Sequence, residues 1–123
     1  MTGPGRKLAS VPSGGPGPAP RMTEAQLQQS IIDLCRYLAL YVYHTRDSRG
    51  SGRGFPDLVI VGPCGVLWRE LKSDTGTLTV DQSAWGHAID GAAGNWSVWR
   101  PTEWHSGRIR RELFALTGRE VTP

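Results

Sequence analysis

Gly54-Phe55-Pro56-Asp57-Leu58-Val59-Ile60-Val61-Gly62-Pro63-Cys64-Gly65-Val66-Leu67-Trp68-Arg69-Glu70-Leu71-Lys72 is the stretch on which the fold turns. Two apolar runs, about Asp57–Val61 and Val66–Lys72, flank Gly62-Pro63-Cys64-Gly65, and that spacing predicts a β-hairpin. A turn centred between Pro63 and Cys64 sets Asp57 directly opposite Glu70. Opposed residues of an antiparallel ladder lie roughly 4.5 to 5.5 Å apart at Cα. Two carboxylates held that close repel, so one takes up a proton or a cation binds between them. A hard divalent ion such as magnesium, with oxygen ligands and retained water, suits such a pair. A one-residue slip of register would spoil the pairing.

Alternation along the second strand puts Lys72 on the face of Glu70, with Trp68 and Val66, while Leu67, Arg69 and Leu71 point the other way. A lysine beside a metal–carboxylate pair stabilises charge developing on an attacked phosphate, or orients the attacking water. Asp57, Glu70 and Lys72 therefore read as a site for metal-assisted phosphodiester hydrolysis. The plainer alternative is a solvated sheet face with an aspartate at a strand end. Strands this apolar, placed between helices, leave neither face freely solvated and favour the site.

Upstream, Thr23 and Gln26 stand in capping-box spacing, and Leu27, Ile31, Leu34, Cys35, Leu38 and Val42 follow at helical intervals. Tyr41 to Thr45 is aromatic and β-branched, which predicts a strand. Arg46, Arg49 and Arg53 then sit in a glycine-rich loop directly before Asp57. Downstream, Ser73 to Thr77 is a polar loop, and a helix starts at Thr79 with Gln82 as its capping-box partner and runs toward Gly91 or Gly94. Trp96 to Trp99 alternates as a fourth strand that Pro101 stops. A last short helix covers Ile109 to Leu116. The order α-β-β-β-α-β-α predicts an α/β fold, a small mixed sheet flanked by helices.

Two more polar residues are expected to face inward. Glu24 lies three before Leu27 and seven before Ile31, on the buried stripe of the first helix, although it would also complement the helix dipole. Gln82 stands in the same relation to Trp85 and Ile89, although a capping role alone would account for it.

Composition sets the outer bounds. A chain of 123 residues and 13.4 kDa suits one domain with a modest core. The net charge of +3 belongs to residues 1–21, which hold Arg6, Lys7 and Arg21 and no acid, whereas 11 basic and 11 acidic residues balance over 22–123. Five Pro and five Gly in the first twenty residues predict a flexible basic tail, 1–21, ahead of a single domain, 22–123. Leu58 to Trp68 is too short and too broken to span a bilayer. No apolar stretch follows Arg6-Lys7, so a secretory signal is not expected and the chain is placed in the cytoplasm, that of the host if it is viral. Cys35 and Cys64 are too few for a disulfide scaffold or a thiolate zinc site and are expected to be reduced and structural.

With these residues in place, Gly54-Phe55-Pro56-Asp57, twelve intervening residues, and Glu70-Leu71-Lys72 resemble the PD-(D/E)XK nuclease signature. Glu24 on an amino-terminal helix and Gln82-x-x-Trp85 on a following one sharpen the resemblance to the VRR-NUC branch, the virus-type replication-repair nucleases, in its small single-domain phage form. The resemblance spans roughly residues 22 to 105. It implies a restriction-endonuclease-like core and a magnesium-dependent endodeoxyribonuclease, a hydrolase for which manganese substitutes. Asp57, Glu70 and the Leu71 carbonyl would be metal ligands, with Glu24 at the metal directly or through water. Lys72 would be the catalytic lysine, and Gln82 would support the site. Duplex or branched DNA, in the manner of Holliday-junction resolvases, would be the substrate, with dimerisation a further expectation. The competing readings are a nuclease on RNA or single-stranded ends and a catalytically silent nucleic-acid-binding module of the same fold.

Arg46, Arg49 and Arg53 at the mouth of such a site would grip phosphates. Arg108, Arg110 and Arg111 read instead as a solvated helix face. Trp85, Trp96, Trp99 and Trp104 are expected in core packing or a subunit interface rather than stacked on bases. His44 is left without a role.

Overall fold

Local chemistry starts the first helix. The Thr23 hydroxyl accepts the Gln26 amide at 3.0 Å and the Gln26 side chain accepts the Thr23 amide at 2.9 Å, so both expected halves of the capping box form. The computed structural model describes residues 21–46 and 52–120. Helix α1 runs Glu24–Tyr37 and buries Leu27, Ile31, Ile32 and Cys35. The chain then enters β1, Tyr41–His44. The hairpin follows as β2, Leu58–Gly62, and β3, Gly65–Leu71. Its register is the expected one, with Leu58 opposite Arg69 and Gly62 opposite Gly65.

Thr79 caps α2, Val80–Gly91, by the same reciprocal bonds with Gln82. Strand β4, Asn95–Trp99, lies parallel to β3, while β2 pairs antiparallel with both β1 and β3. The four-stranded sheet has the order β1-β2-β3-β4. The expected α/β architecture, a mixed sheet flanked by helices, is the one observed.

One element escaped the sequence reading. Pro101 does stop β4, but it does so as the first residue of a short helix, α3, Pro101–His105, where its missing N–H costs nothing. Helix α4, Arg108–Leu116, closes the described chain. Five residues are too few to show a period, so α3 left no pattern to read. Residues 1–20 of the expected tail lie outside the described residues.

Leu58, Ile60, Leu67, Leu71 and Trp99 face α1 and α4 and form the core with Leu27, Ile31, Ile109 and Leu113. Arg69 shares this face and is buried. Its guanidinium lies 3.0 Å from Glu112 of α4, bonds the Asn95 carbonyl at 2.6 Å and stacks 4.9 Å from the Trp99 ring centroid. Burial acts to raise the Glu112 carboxyl, but hydrogen bonds from Arg108 and Arg69 outweigh it and leave Glu112 below its ordinary range.

On the opposite sheet face α2 packs over β4. Contact is made through Gly86, where a β-carbon would fall 2.6 Å from Trp96 Cζ2. The expected buried stripe of Trp85 and Ile89 is corrected here: Gly86 is the buried residue of α2, and Trp85 keeps 36% of its surface exposed. A helix that approaches its sheet through a glycine turns its neighbouring large side chains outward. Cys35 is buried, and burial pushes its thiol up to about 12. Cys64 instead lies exposed in the hairpin turn and does not serve the packing expected of it.

Candidate active site

The hairpin delivers Asp57 and Glu70 to one place. Leu58 is the last residue of the ladder with Arg69, so Asp57 and Glu70 are the next facing pair. Asp57 Oδ2 accepts the Leu71 amide at 2.8 Å, which ties the carboxylate to β3. The Thr45 amide donates to the Asp57 carbonyl at 2.9 Å, and the Thr45 hydroxyl donates to the Pro56 carbonyl at 2.8 Å. The backbone around Asp57 is thus held from both sides.

Glu70 is 2% exposed. Its Oε2 accepts from Gln82 Nε2 at 2.8 Å, while Oε1 is buried with no hydrogen-bond partner. Burial and then the Asp57 charge push Glu70 up to about 9; Lys72 opposes the shift and Glu24 adds to it. Such a pair holds a proton in place of a cation.

Gln82 fills both roles that the sequence left open. Its Oε1 accepts the Thr79 amide at 2.9 Å as a cap, and this fixes Nε2 toward Glu70. The loop before β2 packs on the same helix end. Gly54 has φ +85, and any β-carbon there would collide with Asp81 of α2. The glycine of the Gly-Phe-Pro-Asp stretch therefore lets the loop that carries Asp57 meet the turn that carries Gln82.

Lys72 follows β3 directly, half-buried, with its amide donating to the Trp99 carbonyl at 3.1 Å. It is close enough to Glu70 to lower that carboxyl's pKa. Glu24 needs a correction. It lies in the first turn of α1 and is exposed rather than on the buried stripe, which begins only at Leu27. Its charge still reaches Glu70. Among the described residues no three His, Cys, Asp or Glu side chains gather within metal-ligand reach.

The donor set nevertheless fits a hard cation. An unpartnered carboxylate oxygen of Glu70 is buried, and the second carboxylate lies close enough to raise the Glu70 pKa. Backbone carbonyl and water would complete the shell of a magnesium-sized ion.

Arg46 and Arg53 are exposed on the loop leading to Asp57, and the Arg53 carbonyl accepts the Trp85 indole N–H at 3.1 Å. Trp85 also meets Phe55 edge-on at 5.1 Å. The sequence reading missed this clasp, which anchors the loop to α2. Arg49 lies outside the described residues. His44 pairs with Leu58 on the core face, away from Asp57, and its Nδ1 is buried without a partner. Trp99 is core, Trp96 packs beneath Gly86 and Trp104 packs against the core. Arg108, Arg110 and Arg111 are exposed on α4, where Arg108 pairs with Glu112 at 2.7 Å.

Neither a protein-family model nor a curated protein sequence matches the chain. Among solved structures, it is similar to a VRR_NUC domain protein, with a TM-score of 0.61 and 18% identity over 79% of this chain and 92% of that one. At that identity the likeness is one of fold. The VRR-NUC fold expected from the sequence is the fold this chain shares.

Proposed function

We propose that this protein is a metal-dependent nuclease that hydrolyses phosphodiester bonds of DNA, cutting within duplex or branched molecules. The observation that carries this reading is the buried, unpartnered Oε1 of Glu70 beside Asp57, an arrangement that a divalent cation would satisfy. The fold likeness to a VRR_NUC domain protein supports it.

Asp57, Glu70 and the Leu71 carbonyl would hold Mg2+, or Mn2+ in its place, with Glu24 reaching it through water. Bound there, the ion would polarise a phosphate oxygen and lower the pKa of a coordinated water. Lys72 stabilises charge gathering on the attacked phosphate or orients the attacking water. Gln82 holds Glu70 in place. Arg46 and Arg53, with Arg49, grip phosphates on either side of the cut and carry no sequence information. Cutting both strands of a duplex calls for two copies of this site.

The test is incubation with supercoiled, linear and four-way-junction DNA in magnesium or in EDTA. Cleavage is expected in magnesium alone and is lost in Asp57→Asn. Cleavage that persists in EDTA or in that variant overturns the mechanism. Tight junction binding without cleavage would identify a silent binding module, and cutting confined to RNA or single-stranded ends would move the substrate class.

A further inference from the structure

The sheet face that carries Asp57 and Glu70 extends past them to the outer strand. Tyr41 pairs with Val61 and Tyr43 with Val59, and Val59 in turn pairs with Trp68. Directly paired residues share a face, so Tyr41 and Tyr43 stand on the face of Trp68 and Glu70. Helix α2 packs over β4 at the far side of the sheet and leaves this part open. Tyr41 is 80% exposed, Tyr43 64% and Val61 40%.

Spacing and charge suit one kind of ligand. Alternate residues of a strand lie about 6.8 Å apart, with side chains roughly upright on the sheet. That is about twice the ~3.4 Å rise per base of a stacked strand, so the two rings can hold one base between them or carry successive bases. Tyr43 stands one strand across and two residues along from Asp57, a Cα separation of roughly 8 Å. Neither β1 nor β2 contains an acid, and the exposed Arg46 and Arg53 border the Asp57 end. Among the described residues of β1, β2 and the flanking loop ends, phosphates following this path meet Arg46 and Arg53 and no carboxylate before the site itself.

We propose that Tyr43 and Tyr41 form a stacking platform for unpaired bases next to the scissile phosphate. The preferred substrate is then DNA with single-stranded nucleotides beside the cut, such as a splayed arm or an opened junction. The proposal rests on the nuclease reading of the Asp57–Glu70 site and names its substrate class. Stacking of this kind tolerates any base sequence, because every base has an aromatic face.

The test compares a blunt duplex with the same duplex bearing an unpaired arm, using the full chain. Binding is read in EDTA, with 2-aminopurine in the arm, and cleavage in magnesium. Tyr41→Ser/Tyr43→Ser is expected to bind the armed DNA about ten- to a hundredfold more weakly and to lose the 2-aminopurine quench, with blunt-duplex binding within about twofold of the parent. Tyr41→Phe/Tyr43→Phe keeps the rings and is expected to keep both. Both tyrosines are exposed, so neither pair of changes removes packing. Equal binding of armed DNA by the serine variant and the parent overturns the platform. So does a serine variant that turns a dimer into a monomer in sedimentation while armed-DNA preference persists, which would make this face a contact between copies. Failure of the parent to cut any DNA in magnesium counts against the nuclease reading, whereas the EDTA binding comparison still decides the platform.

Discussion

Gln82 donates to Glu70 Oε2 at 2.8 Å while its own Oε1 accepts the Thr79 amide at 2.9 Å. One amide thus starts a helix and orients a buried carboxylate. The cap bond places the amide oxygen at Thr79 and so turns Nε2 toward Glu70.

Gln82→Glu is the sharpest probe of that double role. Glutamate still serves the capping box, but it replaces the amide donor to Glu70 with a second carboxyl group. Unfolding free energy in guanidinium at neutral pH is expected to drop by about 1–3 kcal/mol, the cost of a buried polar group losing its partner. Cleavage should fall with it. Unchanged stability and activity would show that the bond to Glu70 does not matter.

The raised pKa of Glu70 sets a pH dependence. Between its ordinary value of 4.5 and about 9 the folded state holds a proton that the unfolded state has released. The metal-free fold is therefore most stable, as far as this group is concerned, below pH 4.5, and loses stability as pH climbs toward 9. Glu70→Gln removes the titrating group and should flatten that slope in denaturant melts run in EDTA. A slope unaltered by the substitution would assign the effect elsewhere.

Magnesium and Lys72 separate binding from chemistry. A ligand at a hundred times its Kd adds about 2.7 kcal/mol to stability, so magnesium should raise the Tm of the parent at pH 8. Asp57→Asn should abolish that rise. Lys72→Ala is expected to keep it while cleavage falls by about a hundred- to a thousandfold, the cost of losing one charge-stabilising group. A Lys72→Ala protein that cuts normally would remove the lysine from the mechanism.

On the other sheet face, Glu112→Ala would leave the buried Arg69 guanidinium without its carboxylate. The expected loss is about 3 kcal/mol, because an uncompensated buried charge costs more than the pair contributes. Thermal unfolding checks it, and the double variant Arg69→Met/Glu112→Leu should recover most of the loss.

Most of the layout was legible because it rests on local rules. Thr23 with Gln26 and Thr79 with Gln82 each mark a helix start within four residues. Gly62 and Gly65 around a short turn set the hairpin register, and register alone brings Asp57 to Glu70. Glu24 was misjudged because helical periodicity does not say at which turn the stripe becomes buried, and in α1 burial begins only at Leu27. Trp85 was misjudged because its exposure depends on Gly86 pressing against Trp96, a contact between elements.

By itself the sequence determined every described element but α3, their order and the facing carboxylates, since capping, alternation and turn length act over a few residues. Only the tertiary structure decided which of Gln82's two roles it takes, and the answer is both. It also decided that Arg69 is buried on Glu112, that Gly54 must yield to Asp81, and that Tyr41 and Tyr43 stay open to water. Each of these depends on which segments distant in the chain come into contact, and no local rule carries that information.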